Sequence, residues 1–91
     1  DEFDDKIYLQ DKVDENSFNL SARLEIDYLN SRYSLNIPRG EYDTLGGFIL
    51  SSNKNIPKKN EILTYDNFTI KILTENNNKI NSVFFRKNVN N

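Results

Sequence analysis

The side chains best placed to do chemistry fall in one short run, Tyr42-Asp43-Thr44-Leu45-Gly46-Gly47. An acid and a hydroxyl ahead of an apolar stretch suit the start of a helix. A side-chain oxygen there accepts an orphan N–H of the first turn, and negative charge favours the positive end of the helix dipole. Asp43 is expected to be that cap. Glycines inside a helix cost about 1 kcal/mol each against alanine, so Gly46 and Gly47 call for a compensating reason, and close backbone approach of a strand or helix is the usual one. The other reason is a ligand: bare amides at a helix start receive phosphate or another anion. Tyr42, Asp43, Thr44, Gly46 and Gly47 are therefore the candidate ligand-binding residues. Tyr42 also has two uses, stacking on a ligand ring or packing on Phe48 as a hydrophobic staple.

Catalysis has little to draw on. The chain holds neither cysteine nor histidine, which removes thiol nucleophiles, disulfides, thiolate zinc sites and the usual general base near neutral pH. Glu41 and Asp43 are the carboxylates beside the run, and no partner that would tune their pKa is evident, so no catalytic residue is assigned and no enzyme is expected. Asp1, Glu2, Asp4 and Asp5 could gather Mg²⁺, but that ion needs pre-organised carboxylates, which a terminal acidic run does not offer. No metal site and no cofactor are expected. A net charge of -2 argues against nucleic acid, which demands a dense basic face. Lys54, Lys58 and Lys59 form a local basic cluster, read as solvated surface; an acidic partner or anionic lipid headgroups are the alternative.

Ninety-one residues with 36% hydrophobic content suit one small core. Asp1–Asp5 reads as an acidic linker or disordered terminus, residues 6–87 as the folded domain, and 88–91 as a disordered tail. Ile7, Leu9 and Val13, then Phe18, Leu20 and Ala22, recur at the two-residue period of half-buried strands. Asp14 to Ser17 join them as a hairpin turn. Leu24, Ile26, Leu29 and Tyr33 approximate helical spacing, predicting a helix over 25–33 with Asn30 left to solvent. A loop through Pro38 and Gly40 leads to a second helix carrying Leu45, Phe48 and Ile49 on one stripe, ending at 53–57. A strand begins near Ile62, a second follows through Phe68, Ile70 and Ile72, and a last one holds Ile80, Val83 and Phe85 with a bulge near Ser82. Asn76, Asn77 and Asn78 supply the intervening turn. The prediction is α+β, a single small domain in the order ββααβββ, with two helices packed on a mostly antiparallel sheet. Its exposed edge permits a homodimer by strand addition.

The stretch from Leu35 to Pro57 carries more. Tyr42-Asp43-Thr44-Leu45-Gly46-Gly47, preceded by Ile37-Pro38 and followed by Ile56-Pro57, resembles the transporter-associated domain of the CorC/HlyC family of magnesium and cobalt efflux and hemolysin-like proteins. The resemblance spans roughly residues 17–85, closing on Lys79-Ile80 and Val83-Phe84-Phe85. Asn60 and Asn67 stand where glycine is expected, and Lys79 where arginine is common; asparagine is the least costly substitute in left-handed turns. The resemblance implies a non-catalytic regulatory domain that follows paired CBS domains on the cytoplasmic side of a membrane protein. Its partners would be those CBS domains and the membrane region. A fold relation to part of certain flavin-binding domains implies the alternative, a module for a small molecule such as an adenine nucleotide or flavin-like ligand. No apolar run approaches the ~20 residues that span a bilayer, so this segment is expected to be soluble. A start at Asp1 without methionine is read as a piece cut from a longer chain.

Overall fold

The computed structural model of the chain describes residues 8–89. Seven elements follow one another: β1 (Gln10–Asp14), β2 (Ser17–Ser21), α1 (Ile26–Tyr33), α2 (Leu45–Ser52), β3 (Ile62–Thr64), β4 (Phe68–Asn76) and β5 (Lys79–Lys87). The order is the ββααβββ that the hydrophobic periods predict. All strand pairs are antiparallel, and the sheet order is β1-β2-β5-β4-β3. In a strand alternate side chains share a face, so register decides which residues meet. Two apolar rows cross the sheet, Phe18–Phe85–Ile70–Leu63 and Leu20–Val83–Ile72. Both rows are buried. Ile26 and Leu29 of α1 and Leu45, Phe48 and Ile49 of α2 join them in one core, which makes the fold two layers thick. The reverse face carries the row Asn19–Phe84–Lys71–Ile62, where Phe84 is half-buried and Ile62 is exposed.

The turns follow local chemistry. Asn77 and Asn78 join β4 to β5 with φ of 51° and 63°, the left-handed pair that a two-residue hairpin needs. Asn60 is also left-handed, at φ 72°, as its place in a glycine position predicts; Asn67 is not among the left-handed residues. The bulge expected near Ser82 is a pair of irregularities: Thr74 faces Ser82 with an extra residue, Leu73, on β4, and Asn81 is the extra residue on β5. Ser34 and Asn36, at φ 56° and 60°, turn the chain sharply after α1. That turn buries Leu35 and Ile37, which periodicity alone did not place in the core.

Three expectations need correction. β1 begins at Gln10, and Leu9 and Val13 are exposed instead of forming a buried stripe; Ile7 lies outside the described residues. Gln10 pairs with Leu20 and Lys12 with Phe18, so the even-numbered residues share the core's face and the apolar odd ones do not. Gln10 is kept on that side because its amide Nε2 donates to the hydroxyls of Tyr28 and Tyr33 at 2.7 and 2.6 Å. Asn30 does not face solvent: its Nδ2 donates to the Ile37 carbonyl at 2.9 Å and its Oδ1 accepts the Ile37 N–H at 2.8 Å. One side chain thus replaces a strand partner for the loop. The third correction concerns the cap of α2, described below.

Candidate functional site

The Tyr42–Gly47 run enters α2 through Thr44, whose backbone is extended, and its last three residues are the first of the helix. Thr44, not Asp43, is the N-cap: its Oγ1 accepts the Gly47 N–H at 3.1 Å. Asp43 sits one residue too early, where its carbonyl accepts the Ile26 N–H at 2.8 Å and its side chain points to solvent. The other orphan amides of the first turn are engaged as well. Leu45 N–H donates to the Leu24 carbonyl at 3.0 Å, and Gly46 N–H to the Ala22 carbonyl at 2.8 Å. Ala22 in turn donates to the Asn81 carbonyl at 2.9 Å. The start of α2 is therefore bonded to the chain leaving β2, which is bonded to β5.

These bonds require a close approach. A Cβ on Gly46 would lie 3.2 Å from the Ala22 Cβ and 3.3 Å from its carbonyl oxygen. A Cβ on Gly47 would lie 3.0 Å from the Tyr42 Cβ. Both glycines sit inside the helix; Gly46 lies at a close approach to the backbone leaving β2, whereas Gly47 lies against Tyr42 and Thr44 of its own run. Tyr42 packs edge-on against Phe48, with ring centroids 5.6 Å apart, and its hydroxyl donates to the Pro38 carbonyl at 2.6 Å. Phe48 continues through Phe68 at 5.9 Å to Phe85 at 4.7 Å, so the motif is joined to the centre of the sheet by aromatic contacts.

An open depression of about 350 Å³ lies beside the two glycines. Thr44, Gly46 and Gly47 line it; Tyr42 and Asp43 do not. The remaining walls come from Ala22 and Arg23 after β2, Leu50 on α2, and Lys79, Ile80 and Asn81 at the start of β5. Sequence reasoning missed Arg23, Lys79 and Asn81, since nothing local marks residues that strand pairing brings together from distant segments, and it missed Leu50, one helical turn after the glycines.

Glu41 and Asp43 are exposed. Burial pushes the Tyr65 hydroxyl above its usual value, opposed by its hydrogen bond with Ser52, so it stays protonated at neutral pH. Among the described residues no group of three or more Asp or Glu is placed to hold a metal ion, and no helix is long and apolar enough to cross a membrane. The Asp1–Asp5 run lies outside the described residues. Lys54, Lys58 and Lys59 are all exposed.

The family of transporter associated domains, CorC_HlyC, matches residues 11–89. The chain belongs to that family. Among curated relatives of the CorC/HlyC kind, the chain is 28% identical over 81 residues to the magnesium and cobalt efflux protein CorC of Buchnera aphidicola subsp. Acyrthosiphon pisum (strain APS), covering 88% of this chain and 28% of that protein. It is 30% identical over 88 residues to hemolysin C of Brachyspira hyodysenteriae, covering 96% of this chain and 33% of that protein. The chain thus spans a third or less of the length of these relatives. The solved CorC_HlyC transporter associated domain of Nitrosomonas europaea superposes with a TM-score of 0.77, covering 92% of this chain and 100% of the other. At 20% identity that likeness shows the α+β fold alone.

Proposed function

We propose that this chain is a non-catalytic accessory domain, with residues 6–87 as its folded unit, in a larger CBS-containing divalent-cation efflux or hemolysin-like protein. It adjusts transport through contacts with the CBS domains and the membrane region, on the cytoplasmic side. The observation that carries this is the CorC_HlyC family match over 11–89 in a chain that spans only 28% of a magnesium and cobalt efflux relative. Two features of the chain support it. Its chemistry-bearing run is engaged in holding α2 to the sheet, and the reverse face of that sheet is covered by no helix of this chain among the described residues. Regulation requires that the domain bind one state of the transporter better than another. Deleting it from the parent protein is expected to change the dependence of cation efflux on cytoplasmic Mg²⁺ while the remaining protein still reaches the membrane. Unaltered efflux and unaltered affinity between the separated domain and the rest of the parent would refute the proposal.

The second reading is a small-molecule module for an adenine nucleotide or flavin-like ligand. The depression beside Thr44, Gly46 and Gly47 favours it. Calorimetric titration of the domain with adenine nucleotides and flavins tests it, and absence of both heat and amide shifts at Thr44–Gly47 counts against it.

A further inference from the structure

We propose that the depression at the junction of β2, α2 and β5 is a site for a small phosphate-bearing anion, held by Arg23 and Lys79. This deepens the small-molecule reading and rests on it. The first three amides of α2 are engaged with Leu24, Ala22 and Thr44, so the helix start is not the source of affinity. The side chains are. Arg23 and Lys79 are two cationic residues lining one depression of a chain whose net charge is -2, and no carboxylate among the described residues lines it. The other polar lining side chains are Thr44 and Asn81. Thr44 uses an oxygen lone pair for the Gly47 N–H and keeps its own proton to donate; Asn81 offers an amide NH₂. A fork from arginine and a point charge from lysine, with two neutral donors, suit the several oxygens of a phosphate better than one carboxylate. Ala22, Leu50 and Ile80 supply the apolar part of the lining, and the missing side chains of Gly46 and Gly47 leave room beside them where an attached organic group would rest.

The site is open to solvent and its cations are exposed, so each should contribute no more than an exposed ion pair does, about fivefold in affinity at the upper end. The test is titration of the ¹⁵N-labelled chain with inorganic pyrophosphate at physiological salt, following amide shifts. The expected result is shifts centred on Arg23, Thr44, Gly46, Gly47 and Lys79, about fivefold weaker binding in R23Q and in K79Q, and unchanged binding in K58Q. Shifts spread equally over Lys54, Lys58 and Lys59, or variants that bind like the parent chain, would overturn the assignment. A second arm uses vesicles containing phosphatidylglycerol. Vesicle binding without pyrophosphate binding would also overturn it, since a basic surface meeting a membrane would explain that result. If neither probe binds yet deletion of the domain alters efflux, the anion site fails while the accessory role stands.

Discussion

Thr44 and Asp43 differ by one position and by everything that matters to α2. Either side chain caps helices well, so their order in sequence does not decide between them. The decision comes from the Asp43 carbonyl, which is bonded to Ile26 and holds that residue in the crossing with α1. Thr44→Ala is expected to lower stability by about 1 kcal/mol in chemical denaturation, with Thr44→Ser close to the parent and Asp43→Ala within about 0.5 kcal/mol of it. A loss on removing Asp43 equal to that at Thr44 would show that the cap is misplaced. The left-handed positions teach a related lesson. Asn77, Asn78 and Asn60 are readable because asparagine tolerates that geometry, whereas Ser34 gives no such signal and adopts it because α1 ends there, with its N–H on the Asn30 carbonyl.

At the scale of elements, the central strands were legible and the edge was not. β4 from Phe68 to Ile72 and β5 from Val83 to Phe85 alternate because one face is buried there, and the irregularities at Leu73 and Asn81 interrupt the pattern. β1 is an edge strand paired on one side only, and there the apolar residues Leu9 and Val13 stay exposed while Gln10 turns inward to two tyrosine hydroxyls. Amide hydrogen exchange should follow this difference. Val83, Phe84 and Phe85, paired on both sides, are expected to exchange slowest, and β1 and β3 fastest; β1 protected as strongly as β5 would contradict the sheet order. The β1–β2 turn has its own pH signature. The Asp14 carboxylate accepts the Asn16 N–H at 2.9 Å, which holds its pKa below the ordinary 3.8. A lowered carboxylate pKa adds stability above the ordinary value and loses it as pH falls through the lowered one. Asp14→Asn keeps an acceptor without the titration, so the acid-side loss of stability below pH 3.8 should be smaller than in the parent chain. Identical acid profiles for the two would exclude this contribution.

For the whole molecule, family and topology were both readable, because the Tyr42–Gly47 run is contiguous and the hydrophobic periods are regular. The depression was not, since Arg23 and Lys79 lie far apart in sequence and come to line one depression only after β2 pairs with β5. What joins the two layers at this end is the approach of α2 to the chain leaving β2. Gly46→Ala measures that approach most directly, because two effects oppose each other. Helix propensity alone predicts a gain of about 1 kcal/mol. A methyl group 3.2 Å from the Ala22 Cβ and 3.3 Å from its carbonyl oxygen instead requires α2 and the Ala22 segment to give way by a few tenths of an ångström, an overpacking cost of about 1–3 kcal/mol. The predicted result in thermal and chemical unfolding is a net loss of about 1 kcal/mol, partly restored by Ala22→Gly in the same chain. A stabilised Gly46→Ala variant would contradict it.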